Sequence, residues 1–248
     1  MPKAPVAPRA AHAEAVADAK RLMRLSRTAA LATLDPATGA PLTTLVGVAS
    51  DFDGAPLFLM STLARHTRRL ASDPRASVLL TEEPERGDPL NHPRITLNGL
   101  VERAPDPRVR ARYLQRNPKA KLYADFADFA FFRLAIESVH FNGGFGRADP
   151  LTPADLLASR EGETTLAEAE ARLIEWINGF GDEALARLAG HKLSGRQVWR
   201  AIGLDAEGLD LAAGGRIARL QFPAPAHDDA SWRARLEERF TTGGASPE

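Results

Sequence analysis

Six short runs of alternating apolar and polar residues, at 29–34, 43–50, 57–61, 75–82, 94–103 and 131–141, dominate the first 150 residues of this chain. Side chains that alternate in this way line the two faces of a β-strand, so this half is a β fold. Asp35-Pro36-Ala37-Thr38-Gly39 and Asp51-Phe52-Asp53-Gly54 are turns by composition. Connections this short join antiparallel strands only. Helical periodicity falls between the runs, at 10–27, 63–72, 106–116 and 119–129, with Pro107 in a first turn and Pro118 separating the last two. Residues 83–93 read as a polar, Pro-rich loop. The pattern predicts a small barrel with inserted helices over 16–153, preceded by a Pro/Ala-rich disordered arm at 1–15.

A second character begins after the Pro-punctuated stretch 148–153 and the polar residues 159–163, so a domain boundary is expected between 150 and 163. Thr165-Leu166-Ala167-Glu168 has the form of a capping box, followed by Leu166, Ala169, Leu173, Trp176, Ile177 and Phe180 on one helical face. A helix at 182–189 and strands at 198–202, 209–211 and 216–222 follow. A last helix carries Trp232, Leu236 and Phe240. Residues 160–248 therefore form a compact α+β domain, in which Trp176, Trp199 and Trp232 are expected to pack.

Lys+Arg and Asp+Glu balance at 32 each, so no global field draws the chain to nucleic acid or to an acidic membrane. Arg108, Arg110, Arg112 and Arg116 read as a solvated or dimer-facing surface rather than a nucleic-acid site, because few aromatics interleave with them. The absence of cysteine excludes disulfides, thiolate metal sites and a nucleophilic thiol. No apolar run resembles a signal peptide or a membrane span, and a cytoplasmic location is expected. No metal site is expected, and no nucleotide-loop or zinc-protease motif is present.

One segment concentrates anion-binding groups. Met60-Ser61-Thr62-Leu63-Ala64-Arg65-His66-Thr67-Arg68-Arg69 leaves a strand and enters a helix, which places Ser61 or Thr62 at the N-cap beside the positive end of the helix dipole. Such a terminus suits phosphate. Helical spacing sets Leu63, Thr67 and Leu70 on one side, His66 and Arg69 on a flank, and Arg65 and Arg68 on the far side. Ser/Thr caps and Arg-rich helix faces are also common as plain solvated structure.

The order Pro41 to Val46, Gly54 to Ser61, Leu63-Ala64-Arg65-His66-Thr67, Asp73 to Leu80, Arg94 to Gly99 and Gly143 to Gly146 resembles the pyridoxamine-5′-phosphate-oxidase-like proteins with the FMN-binding split barrel. It is most similar to their haem-utilisation branch, in which an α+β module completes the chain. The resemblance implies an α+β fold with an N-terminal FMN-binding split β-barrel, a homodimer and FMN at the subunit interface. Carried over, Thr44, Leu45 and Val46 would run beside the flavin ring. Met60, Ser61, Thr62, His66 and Thr67 would line and hold its phosphate and ribitol. Arg69 stands where the branch commonly has Asn, either adding charge to the phosphate or facing solvent.

The reading that follows is an FMN-dependent oxidoreductase of unknown substrate and unknown catalytic residues, in which the cofactor carries the chemistry. The first alternative is a haem-binding or haem-degrading protein. Members of the resembled branch ligate haem through a His near the C-terminus, whereas residues 241–248 contain none. His66, His140 or His227 would have to substitute, while His12, His92 and His191 stand isolated. The second alternative is a non-enzymatic regulatory binding protein, as in a similar two-module plant chain that binds glutamyl-tRNA reductase.

Overall fold

The structure, a computed structural model, describes residues 9–81, 88–144, 147–192 and 198–242. The chain divides into two units, Met1–Leu157 and Ala158–Glu248. The expected arm lies outside the described residues over 1–8, and from Arg9 onward it is helix. Ala15, Ala19, Leu22 and Met23 give α1 (Arg9–Leu25) an apolar face that packs into the core, and this holds its N-terminal turns in register.

The first unit is built on β1 (Thr28–Leu34), β2 (Pro41–Gly47), β3 (Ala49–Ser50), β4 (Pro56–Ser61), β5 (Arg75–Thr81), β6 (Arg94–Arg103), β7 (Phe129–Asn142) and β8 (Ala148–Asp149). Hydrogen bonding runs in the order β2-β1-β5-β6-β7-β4-β3, every pair antiparallel, with β8 beside β7. Only Val48 separates β2 from β3, yet these strands end opposite edges of the sheet. The sheet must therefore curl until its edges meet, which is the split-barrel form. The run 43–50, expected as one strand, breaks because a Cβ on Gly47 would stand 2.7 Å from the Tyr113 hydroxyl, while Arg27 O and Asn117 Nδ2 bind the Val48 backbone.

Strand β4 is buried along Pro56 to Met60. Phe58 and Met60 face the barrel core with Leu31, Val78, Leu97 and Leu134, and Leu57 and Leu59 face a second cluster with Val109, Tyr113 and Leu114. Those last three belong to α3 (Pro107–Arg116), capped by the Asp106 side chain on Arg108 N. Val109, Tyr113 and Arg116 share its inner face, so Arg116 is buried and donates to Arg24 O, against the expected surface arginine cluster. Arg108 and Arg110 do lie outside, paired with Asp106 and Asp125.

The helix expected over 119–129 is a single 3-10 helix at Pro118–Leu122 followed by turns. Ring packing of Tyr123 and Phe126 on Phe129, at 5.0 and 6.3 Å, folds the chain back before a second helical turn can form. In β7 the pairing of Asn98 with Ser138 and Gly99 with Ile136 leaves Glu137 as an extra residue. Gly99 is required there, since a Cβ would come within 1.9 Å of Ala135 O. The buried positions of β7 accordingly change from Phe132 and Leu134 to Phe141.

Two helices complete this unit, α2 (Arg65–Ser72) against β1 and α4 (Pro153–Leu156), whose Thr152 and Asp155 form a capping box. The second unit carries α5 (Glu163–Asn178), α6 (Asp182–Leu188), a three-stranded antiparallel sheet of β9 (Arg200–Asp205), β10 (Gly208–Ala213) and β11 (Arg216–Gln221), and α7 (Asp229–Thr242). Helix α5 starts two residues before the expected capping box, from Gly162 at φ +72. A Cβ at Gly162 would lie 2.1 Å from His227 O, so close backbone approach rather than a Thr cap fixes the start. Trp199 and Trp232 are fully buried, with Trp232 Nε1 donating to Asp205 O at 3.0 Å. Trp176 is half-buried under the Arg233 guanidinium, 4.1 Å from its ring centre.

Among the described residues no helix is long and apolar enough to cross a membrane.

Candidate functional site

Strand β4 delivers the chain to Ser61 at the rim of the barrel, and α2 carries it back over β1. The helix begins at Arg65, two residues later than the sequence predicts, with Ala64 at the N-cap and no side-chain cap. Ser61 does not cap it because its hydroxyl is engaged elsewhere. Ser61 Oγ donates to Asp128 Oδ2 at 2.5 Å and accepts from Leu63 N at 3.1 Å. Thr62 N donates to Asp128 O at 2.6 Å and Ala64 N to Ser61 O at 3.1 Å. A carboxylate of the chain itself thus sits where an anion was expected.

Within α2 the expected faces hold for the helical positions. Thr67 and Leu70 are buried, His66 and Arg69 are half-buried, and Arg65 and Arg68 are exposed. Leu63, outside the helix, is 65% exposed rather than on the inner side. Arg69 neither meets an anion at the helix start nor faces solvent. Its guanidinium donates to Asp35 Oδ2 at 3.2 Å, Ala40 O at 3.0 Å and Thr33 O at 3.4 Å, which ties α2 to the β1–β2 turn. Arg68 donates to Leu63 O at 2.6 Å. The Thr67 hydroxyl is buried without a hydrogen-bond partner among the described residues.

Strand β2 supplies the opposing wall. Val46 and Met60 belong to the barrel core, so their side chains are occupied by packing and offer a ligand only backbone. Leu45 is 76% exposed, a large apolar side chain on a strand that, among the described residues, pairs with β1 alone. Thr44, half-buried, reaches α2: its Oγ1 lies 3.1 Å from His66 Nδ1 and makes a long contact of 3.5 Å to Leu31 O. If the threonine proton is directed to that carbonyl, Nδ1 carries the imidazole proton and Nε2 is left as a bare electron pair. Burial pushes the His66 pKa below its ordinary value, which favours the neutral ring.

Of the residues singled out in the sequence, the fold brings Thr44 and His66 together, puts Ser61 and Thr62 on Asp128, and turns Arg69 away. Asp128 was not singled out, because it falls inside the segment 119–129 that reads as helix. The other histidines are differently placed. His12 Nδ1 lies 2.8 Å from Asp149 Oδ1, His227 Nδ1 lies 3.0 Å from Glu161 O, His191 stacks on Trp199 at 5.0 Å, and His140 is exposed on β7. The glycine-rich stretch 143–146 is described only as far as Gly144, and the C-terminal tail beyond Thr242 lies outside the described residues.

Residues 10–158 match the model of a family described as CREG, beta-barrel. A chloroplastic heme oxygenase of non-standard type from Arabidopsis thaliana, HOZ, is 38% identical over 113 residues, 44% of this chain and 34% of that protein. The chain thus matches about a third of the length of that curated relative. A crystal structure of a protein of unknown function from Agrobacterium tumefaciens superposes with a TM-score of 0.79 at 38% identity, covering 96% of this chain and 100% of that one. A heme binding protein from Mycobacterium smegmatis superposes with a TM-score of 0.55 at 28% identity, covering 98% and 100%.

Proposed function

Because this chain belongs to the CREG β-barrel family, whose split barrel has haem-binding and heme-oxygenase relatives, we propose that it binds haem, with His66 facing the iron. The observation that carries this reading is the Thr44–His66 pair. An iron ligand must be a neutral imidazole with one nitrogen free, and its other nitrogen is ordinarily held by an oxygen that fixes the tautomer. Burial of His66 supplies the first condition and Thr44 the second. The relatives named for haem add weight, one over nearly the whole chain.

Bound haem would supply redox chemistry at its iron and, in a heme oxygenase, the ring that is opened. The chain's own contribution is positional. Thr44 orients the imidazole, and α2 carries it on a helix anchored by Arg69. The proposal includes a second copy of this chain covering β2, supported by the exposure of Leu45 at that edge. Leu45→Arg should then convert a dimer to a monomer by light scattering.

FMN, the cofactor implied by the sequence resemblance, fits this site poorly. The hydroxyl of Ser61 and the amides of Thr62, Leu63 and Ala64 are all engaged within the chain, and a carboxylate stands among them. A flavin oxidoreductase is therefore the lesser reading.

Titration of haem into the full-length protein tests the proposal. A saturable Soret band that shifts or is lost in His66→Ala is the expected result. Saturable binding with an unchanged spectrum in His66→Ala would remove His66 as the ligand. Absence of saturable binding would remove haem and leave the flavin oxidoreductase and the partner-binding regulator as the surviving alternatives.

A further inference from the structure

Asp128 is fixed by the fold. Phe129, the first residue of β7, pairs with Ser61, the last residue of β4, so the register of two core strands sets the preceding residue against the strand exit. Its side chain accepts a hydrogen bond from Ser61 Oγ at 2.5 Å and its backbone carbonyl one from Thr62 N at 2.6 Å. A second layer closes the corner, with Leu63 N on Ser61 Oγ and Ala64 N on Ser61 O. A serine hydroxyl has one proton to give. Phosphate oxygens only accept at neutral pH, so a phosphate at this corner would have to displace Asp128 and then remain beside its charge. The arginines of α2 are directed elsewhere. Arg69 is turned to Asp35, Arg68 donates to Leu63 O, and Arg65 is exposed.

We propose that Asp128 is a specificity-determining residue: it occupies the anion seat of this barrel and restricts the site to ligands that bring no phosphate to the strand exit. The inference concerns the phosphate subsite alone and does not depend on whether haem binds. In sequence the seat reads as open, with two hydroxyls and a helix start; in the folded chain it is filled by the chain's own carboxylate.

Riboflavin and FMN share one ring system and differ by the phosphate, so their comparison isolates the subsite. The experiment measures thermal shift and flavin-fluorescence quenching for full-length wild type, Asp128→Asn and Asp128→Ser with each flavin. Removing the charge should strengthen FMN binding by about tenfold or more, while riboflavin changes by less than about twofold. Adding Ser61→Ala to Asp128→Asn should cancel the gain. Three results would overturn the proposal: no gain for FMN in either variant, an equal gain for riboflavin, or wild type binding FMN about tenfold more tightly than riboflavin. The wild-type comparison stands even if a variant fails to fold.

Discussion

Arg69 on α2 stands 3.2 Å from Asp35 in the turn between β1 and β2, and its guanidinium reaches two carbonyls of the same hairpin. One side chain thus sets the height of the helix that carries His66. Arg69→Ala should lower Tm by about 3 °C. Arg69→Lys should recover less than half of that loss, because a single ammonium cannot span acceptors that a planar fork reaches together. Differential scanning calorimetry on the three proteins checks both.

Thr44→Val keeps the shape of the side chain and removes the oxygen from His66 Nδ1. On the haem reading it should weaken haem affinity by about tenfold while a Soret band persists. An affinity equal to wild type would show that Thr44 does not orient the ligand.

Histidine 12 titrates in the opposite sense to His66. Its hydrogen bond to Asp149 raises its pKa, with Asp155 contributing, whereas burial lowers that of His66. The stabilisation from the His12 contact is therefore complete below about pH 6.5 and is lost as pH rises through the raised value. Wild type should lose Tm between neutral and mildly alkaline pH relative to His12→Gln. The His66 contribution runs the other way, complete above about pH 6.5 and lost as pH falls through the lowered value, and His66→Ala should flatten that acid limb.

In the second unit Arg219 lies between Asp205 and Asp210 at 2.7 and 2.9 Å, all three side chains nearly inaccessible. Arg219→Ala would leave two buried carboxylates without their cation and should destabilise the protein by about 3–5 kcal/mol. Chemical denaturation measured at neutral pH, compared with the triple replacement of Arg219, Asp205 and Asp210 by apolar residues, should show the triple variant closer to wild type than the single one.

Much of the barrel was legible because its signal is local. Alternation marks β1, β5 and β6, and Asp-rich turns mark the hairpins. What escaped was set by distant partners. Nothing near Gly47 tells that Tyr113 will lie against it, so 43–50 read as one strand rather than two at opposite edges. The same holds at the site. Ser61 and His66 are legible as polar residues at a strand exit and a helix start, and Thr44 was singled out by the family resemblance alone. That Ser61 would face a carboxylate depends on the pairing of β4 with β7, which lies 67 residues away in the chain. Arg116 shows a different failure: charge suggested surface, while its spacing from Val109 and Tyr113 on a helix already pointed inward.

The extra residue in β7 resets the parity of that strand. Phe132 and Leu134 before Glu137, and Phe141 after it, point into the same core although they differ in parity. Deleting Glu137 would restore an uninterrupted ladder that keeps Phe141 opposite Ile95 on the core face, whereas deleting a residue between Glu137 and Phe141 with the bulge retained would swing Phe141 to the outer face. Within this strand, therefore, a one-residue change in length is compatible with the core at the bulge and nowhere between it and Phe141.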